Sequence, residues 1–360
     1  MSQTTIALDA RLAGGDATGD STYWTGLLHG LAELSPSQQF LLFSNEERPP
    51  GIPETDQFRW VTLKAKNSRT WSLAHFPLAA RRMGAKAIHT QYNLSPLCGK
   101  RGITTIHDVS FFIGPEWFPA ADLTLLKRFV PGSAKRAARV ITVSDTSAGE
   151  IARFIPGVKD KISVSPLAPH PNLVPIVREK AQAAVREKLK IEGPFVLSVS
   201  TRWPRKNMAL AIDACEKLPE SFPHRLVLTG KPGWGEEKPG KRTLTTGYVD
   251  FLTLSALYAA ADLYICPSRH EGFGLPIVEA FAGGCPVVCS GAGALPETAG
   301  DAAEIVPGWD TTAWAHAIMD CLSDSSKLAA MRERGHRRAA RFSWRKAAEI
   351  HAQVYAEVAR

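Results

Sequence analysis

Two acidic residues, Glu271 and Glu279, stand eight positions apart in the run PSRHEGFGLPIVEAFAGGCPVV of residues 267–288. The run follows an apolar stretch, turns through Gly272, Phe273 and Gly274, and enters a helix near Pro276. Proline suits a first helical turn, and glycines let backbone approach a ligand closely. A helix N-terminus offers unpaired N–H groups to an anion. Glu271, in the loop, is placed to face a bound sugar. Glu279 sits within the apolar helix beside Ile277, Val278, Ala280 and Phe281, where solvent exposure is hard to accept. It is placed to reach a second hydroxyl-bearing group such as a ribose.

A second cluster, STRWPRKN at residues 200–207, follows the strand-like residues 195–198. Cations at a strand-to-helix turn are placed to neutralise a diphosphate. Such neutralisation is the main electrostatic task when a nucleoside diphosphate leaves a sugar. His107 and Asp108 end another strand-like run, 103–106, where parallel sheets place function. A Gly-rich turn, residues 14–23 with Gly14, Gly15, Gly19 and Tyr23, opens the first helix and can approach a diphosphate or an acceptor. The sequence contains no D-x-D triad and no His/Cys/Asp spacing typical of a metal site, so fixed cations and helix dipoles are expected to hold any diphosphate. Gly291–Ala292–Gly293 resembles half a dinucleotide fingerprint but meets Pro296 where a helix should continue, which argues against NAD.

These residues need a frame. Strand-like and helix-like runs alternate over the first 165 residues: strands at 5–10, 40–43, 60–63, 103–106 and 140–143, helices at 23–34 and 73–83. Pro166, Pro169, Pro171 and Pro175 then break the pattern and mark a linker. After a helix at 177–190, alternation resumes with strands at 195–198, 225–228, 263–266 and 286–289, and helices at 311–322, 325–341 and 344–358. Such alternation predicts α/β architecture with parallel sheets, and 360 residues suit two domains. The expected division is 1–170, 171–341 and a closing helix, 342–360, packed back on the first domain. Two doubly wound halves imply a shared cleft.

The composition is ordinary, with 44% hydrophobic and 22% charged residues, and the six cysteines form no C-x-x-C pair, which suits a reducing cytosol. No signal-peptide pattern or uninterrupted apolar span of membrane length occurs, so a cytoplasmic protein is expected. The net charge is +8, with clusters at Arg81, Arg82 and Lys86 and at Lys127, Arg128, Lys135, Arg136 and Arg139. A solvated face is the plainer reading, and attraction to anionic lipid the sharper one. Nucleic acid is not expected, because no stacking platform accompanies the charge.

The E-x7-E spacing in EGFGLPIVEAFAGGCPVV resembles the signature of family 4 of the retaining, GT-B-fold glycosyltransferases (group 1), whose two Rossmann-like domains face each other across a cleft. Residues 294–297 (ALPE), 300–303 (GDAA) and 342–344 (FSW) are similar to that family in the same order. The resemblance implies metal-independent transfer of a hexose, mannose or glucose first, from a GDP- or UDP-linked sugar to a saccharide or lipid-linked acceptor in surface-polysaccharide synthesis. No cofactor beyond that co-substrate is implied. A nucleotide-sugar epimerase or a sugar phosphorylase of the same architecture is the alternative. The resemblance makes Lys206 the phosphate ligand, with Arg202 or Arg205 beside it. It assigns catalytic roles to His107, Asp108 and Glu271. The first domain, 1–170, is implied to take the acceptor, with Gly19 and Tyr23 in an acceptor loop, and the second, 171–341, the nucleotide sugar, with Gly230, Tyr248, Val249, Phe273, Gly274, Leu275 and Glu279 around it. The family's G-I-G-R-Y reads Gly19–Asp20–Ser21–Thr22–Tyr23 here and lacks the Arg, so the resemblance does not carry over that Arg's phosphate contact.

Overall fold

The structure is a computed structural model that describes residues 4–15, 18–234 and 238–360. Asp16 and Ala17 of the first Gly-rich loop, and Met1–Gln3 ahead of the first strand, lie outside the described residues. The chain divides into two compact units, Met1–Leu167 with Ser343–Arg360, and Ala168–Phe342.

Among the described residues, the first unit holds a seven-stranded sheet in the order β3-β2-β1-β4-β5-β6-β7. The strands are β1 (Thr5–Asp9), β2 (Gln39–Ser44), β3 (Phe58–Thr62), β4 (Ala87–Gln91), β5 (Gly102–Thr105), β6 (Arg139–Thr142) and β7 (Ile162–Val164). The second unit holds a six-stranded sheet, β10-β9-β8-β11-β12-β13. Its strands are β8 (Phe195–Val199), β9 (Arg225–Thr229), β10 (Thr243–Gly247), β11 (Leu263–Cys266), β12 (Val287–Ser290) and β13 (Ala303–Val306). The pairings are parallel throughout. Each sheet therefore reverses its winding once, between β1 and β4 and between β8 and β11. Loops leaving the carboxyl ends of strands at such a reversal form the usual ligand crevice of a doubly wound sheet.

Short apolar runs became central strands because helices cover both faces, so a continuous hydrophobic run is favoured over alternation. β11 (LYIC) and β12 (VVCS) are buried at every residue. All six cysteines are buried. Four strands fall outside the sequence reading: β4 (AIHTQ), β7 (ISV), β10 (TLTTG) and β13 (AEIV). Their polar residues hide the apolar signal. In β4 the buried His89 is matched on both ring nitrogens by partners that only the fold supplies, Tyr355 and Thr105.

The chief partners lie on the closing helix, Trp344–Ala359, which packs against the first helix, Gly19–Leu34. Close approach depends on two glycines: a Cβ at Gly26 would lie 1.9 Å from the Trp344 ring, and one at Gly30 2.1 Å from the Trp344 carbonyl oxygen. Beneath this contact runs a buried polar chain. His351 Nδ1 donates to the Ala347 carbonyl at 2.7 Å, so its Nε2 accepts from the Tyr23 hydroxyl at 2.8 Å. Tyr23 in turn accepts from Thr105 Oγ1 at 2.7 Å. Thr105 accepts from His89 Nε2 at 2.8 Å, and His89 Nδ1 accepts from the Tyr355 hydroxyl at 2.8 Å. One direction of donation satisfies every member, as a low-dielectric interior requires. Burial keeps both imidazoles neutral, holding His351 down at about 4 and His89 well below its ordinary range.

Candidate active site

In the second unit, the loop after β8 and the loop after β11 leave adjacent strands at the sheet's reversal. They bring the two sequence clusters together. Lys206 Nζ lies 2.6 Å from Glu271 Oε1, and Arg205 Nη1 lies 3.0 Å from Oε2. Arg205 also donates to the His270 carbonyl. Burial alone would raise the Glu271 carboxyl, but Lys206 and Arg205, with a Ser268 hydrogen bond, hold it at about 2. The carboxylate is thus a fixed anion with a cation on each oxygen.

The same loop carries three buried donors without a hydrogen-bond partner: Ser200 Oγ, Arg202 Nε and Asn207 Nδ2. Buried polar atoms in folded proteins are almost always paired. Three orphaned donors within eight residues of one strand end make a set suited to an anion. Arg205, 9% exposed, is committed to the Glu271 loop, whereas Arg202 keeps an unmatched donor. This separates two arginines that the sequence left equivalent.

Neighbouring loops are stacked too tightly for side chains. Gly230, at φ +131°, would place a Cβ 2.1 Å from the Ser200 carbonyl, and Gly293, at φ +58°, one 2.4 Å from the Glu271 carbonyl. Gly293 therefore packs on the backbone of the Glu271 loop, which gives this glycine of the half dinucleotide pattern a packing role. Gly274, at φ +92°, caps the helix Leu275–Ala282, and Phe273 is buried against Phe342 at 5.4 Å between ring centres. Leu275 and Val249 are half-buried, and Tyr248 is exposed with Lys231 Nζ 5.2 Å from its ring. Glu279 is buried, accepts from the Tyr258 hydroxyl at 3.0 Å and from the His170 backbone, and burial raises its carboxyl to about 7.

The first unit presents a separate cluster at its own sheet reversal. His107 follows β5, and its Nε2 accepts from Gln91 Nε2 at 2.6 Å. Gln91 ends β4 and donates as well to Asp20 Oδ1 at 2.7 Å, while its oxygen accepts from Trp24 Nε1 at 2.8 Å. Asp20 lies 3.6 Å from His107 Nε2. Burial lowers the His107 pKa, against the opposite pull of Asp20 and Asp108. Asp108 accepts from the Ser110 amide at 2.8 Å and the Ser110 hydroxyl at 2.6 Å, so it fastens the short helix Ser110–Ile113. Gly19 and Tyr23 do not lie in a loop: Gly19 begins the first helix after the Thr18 cap, and Tyr23 is 1% exposed with its hydroxyl spent on the buried chain. Gln91 and Tyr92 were not among the sequence candidates, and Asp20, Ser200 and Asn207 were named only as members of their runs, without a role. Only the positive φ of Tyr92 and Asn207, at +57° and +55°, marks two of them, and that is a property of the backbone.

Among the described residues no three His, Cys, Asp or Glu side chains converge as a metal site, and no helix is long and apolar enough to cross a membrane.

Comparison with known proteins bears on the family and the fold. Residues 193–324 match the family described as glycosyl transferases group 1. The chain is 35% identical over 258 residues to the O-antigen chain mannosyltransferase B of Escherichia coli, covering 68% of this chain and 67% of that protein. It is 33% identical over 181 residues to a D-inositol 3-phosphate glycosyltransferase of Corynebacterium urealyticum, covering 46% of this chain and 40% of that one. Among solved structures, HepE of Anabaena in complex with UDP-glucose superposes with a TM-score of 0.74 at 19% identity, over 99% of this chain and 100% of that chain. That likeness concerns the fold, which is GT-B in kind.

Proposed function

The chain belongs to the group 1 glycosyltransferases, and from that premise we propose that it transfers a hexose, mannose or glucose, from a GDP- or UDP-linked donor to a saccharide or lipid-linked acceptor, with retention and without a metal. The observation that carries this reading is the loop after β8, where Ser200, Arg202 and Asn207 hold unmatched buried donors beside Lys206. A diphosphate supplies the acceptor oxygens those groups lack, and charge-assisted bonds to it are about twice as strong as neutral ones.

Donor entry then changes partners within the loop. Lys206 moves from Glu271 to the phosphates, while Arg205 stays with the carboxylate and keeps it ionised. Glu271 faces the sugar and stabilises positive charge developing at its anomeric carbon. The leaving phosphate takes the acceptor's hydroxyl proton, so no covalent sugar–enzyme bond is needed. Glu279, Tyr248, Val249 and the Gly230 and Phe273–Leu275 backbone surround the nucleoside and sugar. His107 serves the same reaction from the first unit, and Asp108 supports its loop. The E. coli relative's part in O-antigen synthesis supports a surface-polysaccharide or glycoconjugate product.

A cytoplasmic site with peripheral contact to anionic membrane belongs to the same reading. Exposed Arg82 and Lys86 on one segment, and Lys127 and Arg128 beside exposed Leu125 and Phe129 on another, support it.

The test is release of nucleoside diphosphate from GDP-mannose and UDP-glucose, with the anomeric configuration of the product read by NMR. Glu271→Ala is expected to abolish transfer, and Arg202→Ala to weaken donor binding about tenfold or more, the loss of one charged hydrogen bond. Near-normal turnover in either folded variant would remove the site assignment.

A further inference from the structure

The first unit's cluster has a chemistry of its own. Gln91 is fully committed: its oxygen accepts from an obligate donor, Trp24 Nε1, which fixes the amide so that its nitrogen reaches both Asp20 and His107. The Asp20 side chain is 50% exposed and His107 12% exposed, so a held carboxylate and a neutral imidazole edge meet solvent together. His107 Nε2 accepts from Gln91, which leaves its proton on Nδ1. Beside them stands Tyr92, half-buried, its ring centre 5.8 Å from that of His107.

Tyr92 is held at φ +57°. A left-handed conformation is uncommon for a non-glycine residue, and such residues cluster at functional sites. Here it directs an aromatic ring to the carboxyl end of β4, at the reversal of the sheet. The basic residue of the preceding loop, Arg11, is engaged elsewhere. Arg11 pairs with Asp9 at 2.6 Å, donates to Ser68 and Ser72, and lies 4.0 Å over the Trp71 ring.

We propose that Asp20, Gln91, Tyr92 and His107 form an acceptor subsite built for an uncharged, hydroxyl-rich pyranoside and against phosphate-bearing acceptors. A carboxylate accepts from paired sugar hydroxyls, an imidazole nitrogen fixes orientation, and an aromatic ring packs on the C–H face of a pyranose. The same carboxylate repels a phosphomonoester, which is discrimination by an unfavourable contact. The Arg of the family's G-I-G-R-Y falls on Thr22 here, a buried uncharged residue, and Asp20 stands two positions before it as a carboxylate. The inference rests on the reading that the first unit takes the acceptor, and it adds the acceptor's charge class and two residues, Asp20 and Tyr92, that select it.

Binding to the full-length chain without donor is the test, titrating methyl mannobioside, methyl glucobioside and mannose 6-phosphate. Asp20→Asn, Asp20→Lys and Tyr92→Ala are compared after melting curves establish that each is folded. The wild type is expected to bind a neutral glycoside and to bind mannose 6-phosphate at least about tenfold more weakly, the scale of one like-charge contact. Asp20→Asn and Tyr92→Ala are expected to lose about tenfold or more for the glycoside, one hydrogen-bonded or stacked contact. Asp20→Lys is expected to reverse the preference. GDP-mannose and UDP-glucose, titrated in parallel, should bind all four proteins within about twofold, so a failure of the donor assignment in the second unit shows separately. Equal binding of the phosphate by the wild type, no glycoside binding, unaltered variants, or variants that weaken the nucleotide sugars instead would each overturn the proposal.

Discussion

Lys206→Ala removes one of two cations from a carboxylate that the protein buries. Glu271 is 6% exposed, with Lys206 Nζ at 2.6 Å and Arg205 Nη1 at 3.0 Å on its two oxygens. Burial pushes its pKa up, yet the cations bring it to about 2 from an ordinary 4.5. That depression is worth about 3 kcal/mol of folded-state stability at neutral pH. Lys206 makes the shorter contact and exerts the largest of the lowering influences, so its loss should cost about 2–3 kcal/mol. This falls at the low end for breaking a buried pair, because Arg205 remains to share the charge. The pH dependence follows from the sign of the shift. The folded pKa lies below the unfolded one, so the stabilisation is complete above about pH 4.5 and disappears as pH falls toward 2. The gap between wild type and Lys206→Ala must therefore be widest at pH 7 and narrower, by roughly a quarter, at pH 3.5. Urea unfolding at both pH values measures it, with Lys206→Ala/Glu271→Gln as the control that should regain part of the loss by removing the stranded charge. A gap below about 0.5 kcal/mol at pH 7, the size of an ordinary surface change, or an equal gap at both pH values, would refute the buried-triad reasoning.

Three further outcomes can be checked directly. Tyr23→Phe strands buried Thr105 and His351 groups and should lower stability by about 1–3 kcal/mol in urea melts, while affinity for a neutral glycoside stays within about twofold, one missing hydroxyl having left the acceptor subsite untouched. Gly30→Ala drives a methyl into the Trp344 carbonyl at 2.1 Å, so proteolysis should release the closing helix sooner, and the melting temperature should fall by roughly 4 °C or more. Burial holds His351 at about 4, below its ordinary 6.5, so the stability tied to its neutral form is present above about pH 6.5 and lost as pH falls toward 4; His351→Gln should show a shallower decline in melting temperature across that window.

The sequence by itself determined a good deal. Alternating apolar runs and helical periodicity established a parallel α/β chain, because burial of a strand on both faces demands a near-continuous apolar run that is visible in one dimension. The Gly272–Gly274 turn with Pro276, and the cations of residues 200–207, were legible for the same reason: their chemistry resides in residue types and short spacings. What the tertiary structure alone decided is partnership. Lys206 and Glu271 are 65 positions apart, and whether they form one site depends on β8 and β11 lying side by side, a pairing no local pattern encodes. Arg205 parted from Arg202 because one folded into the Glu271 loop and the other kept an unmatched donor. β4 was missed because His89, Thr90 and Gln91 are polar, and Tyr23, expected in a loop, lies buried in the first helix. Both have one cause: His89 and Tyr23 enter the core with distant partners, here Tyr355 and His351 from the closing helix, and hydrogen-bond satisfaction is a property of three-dimensional neighbours.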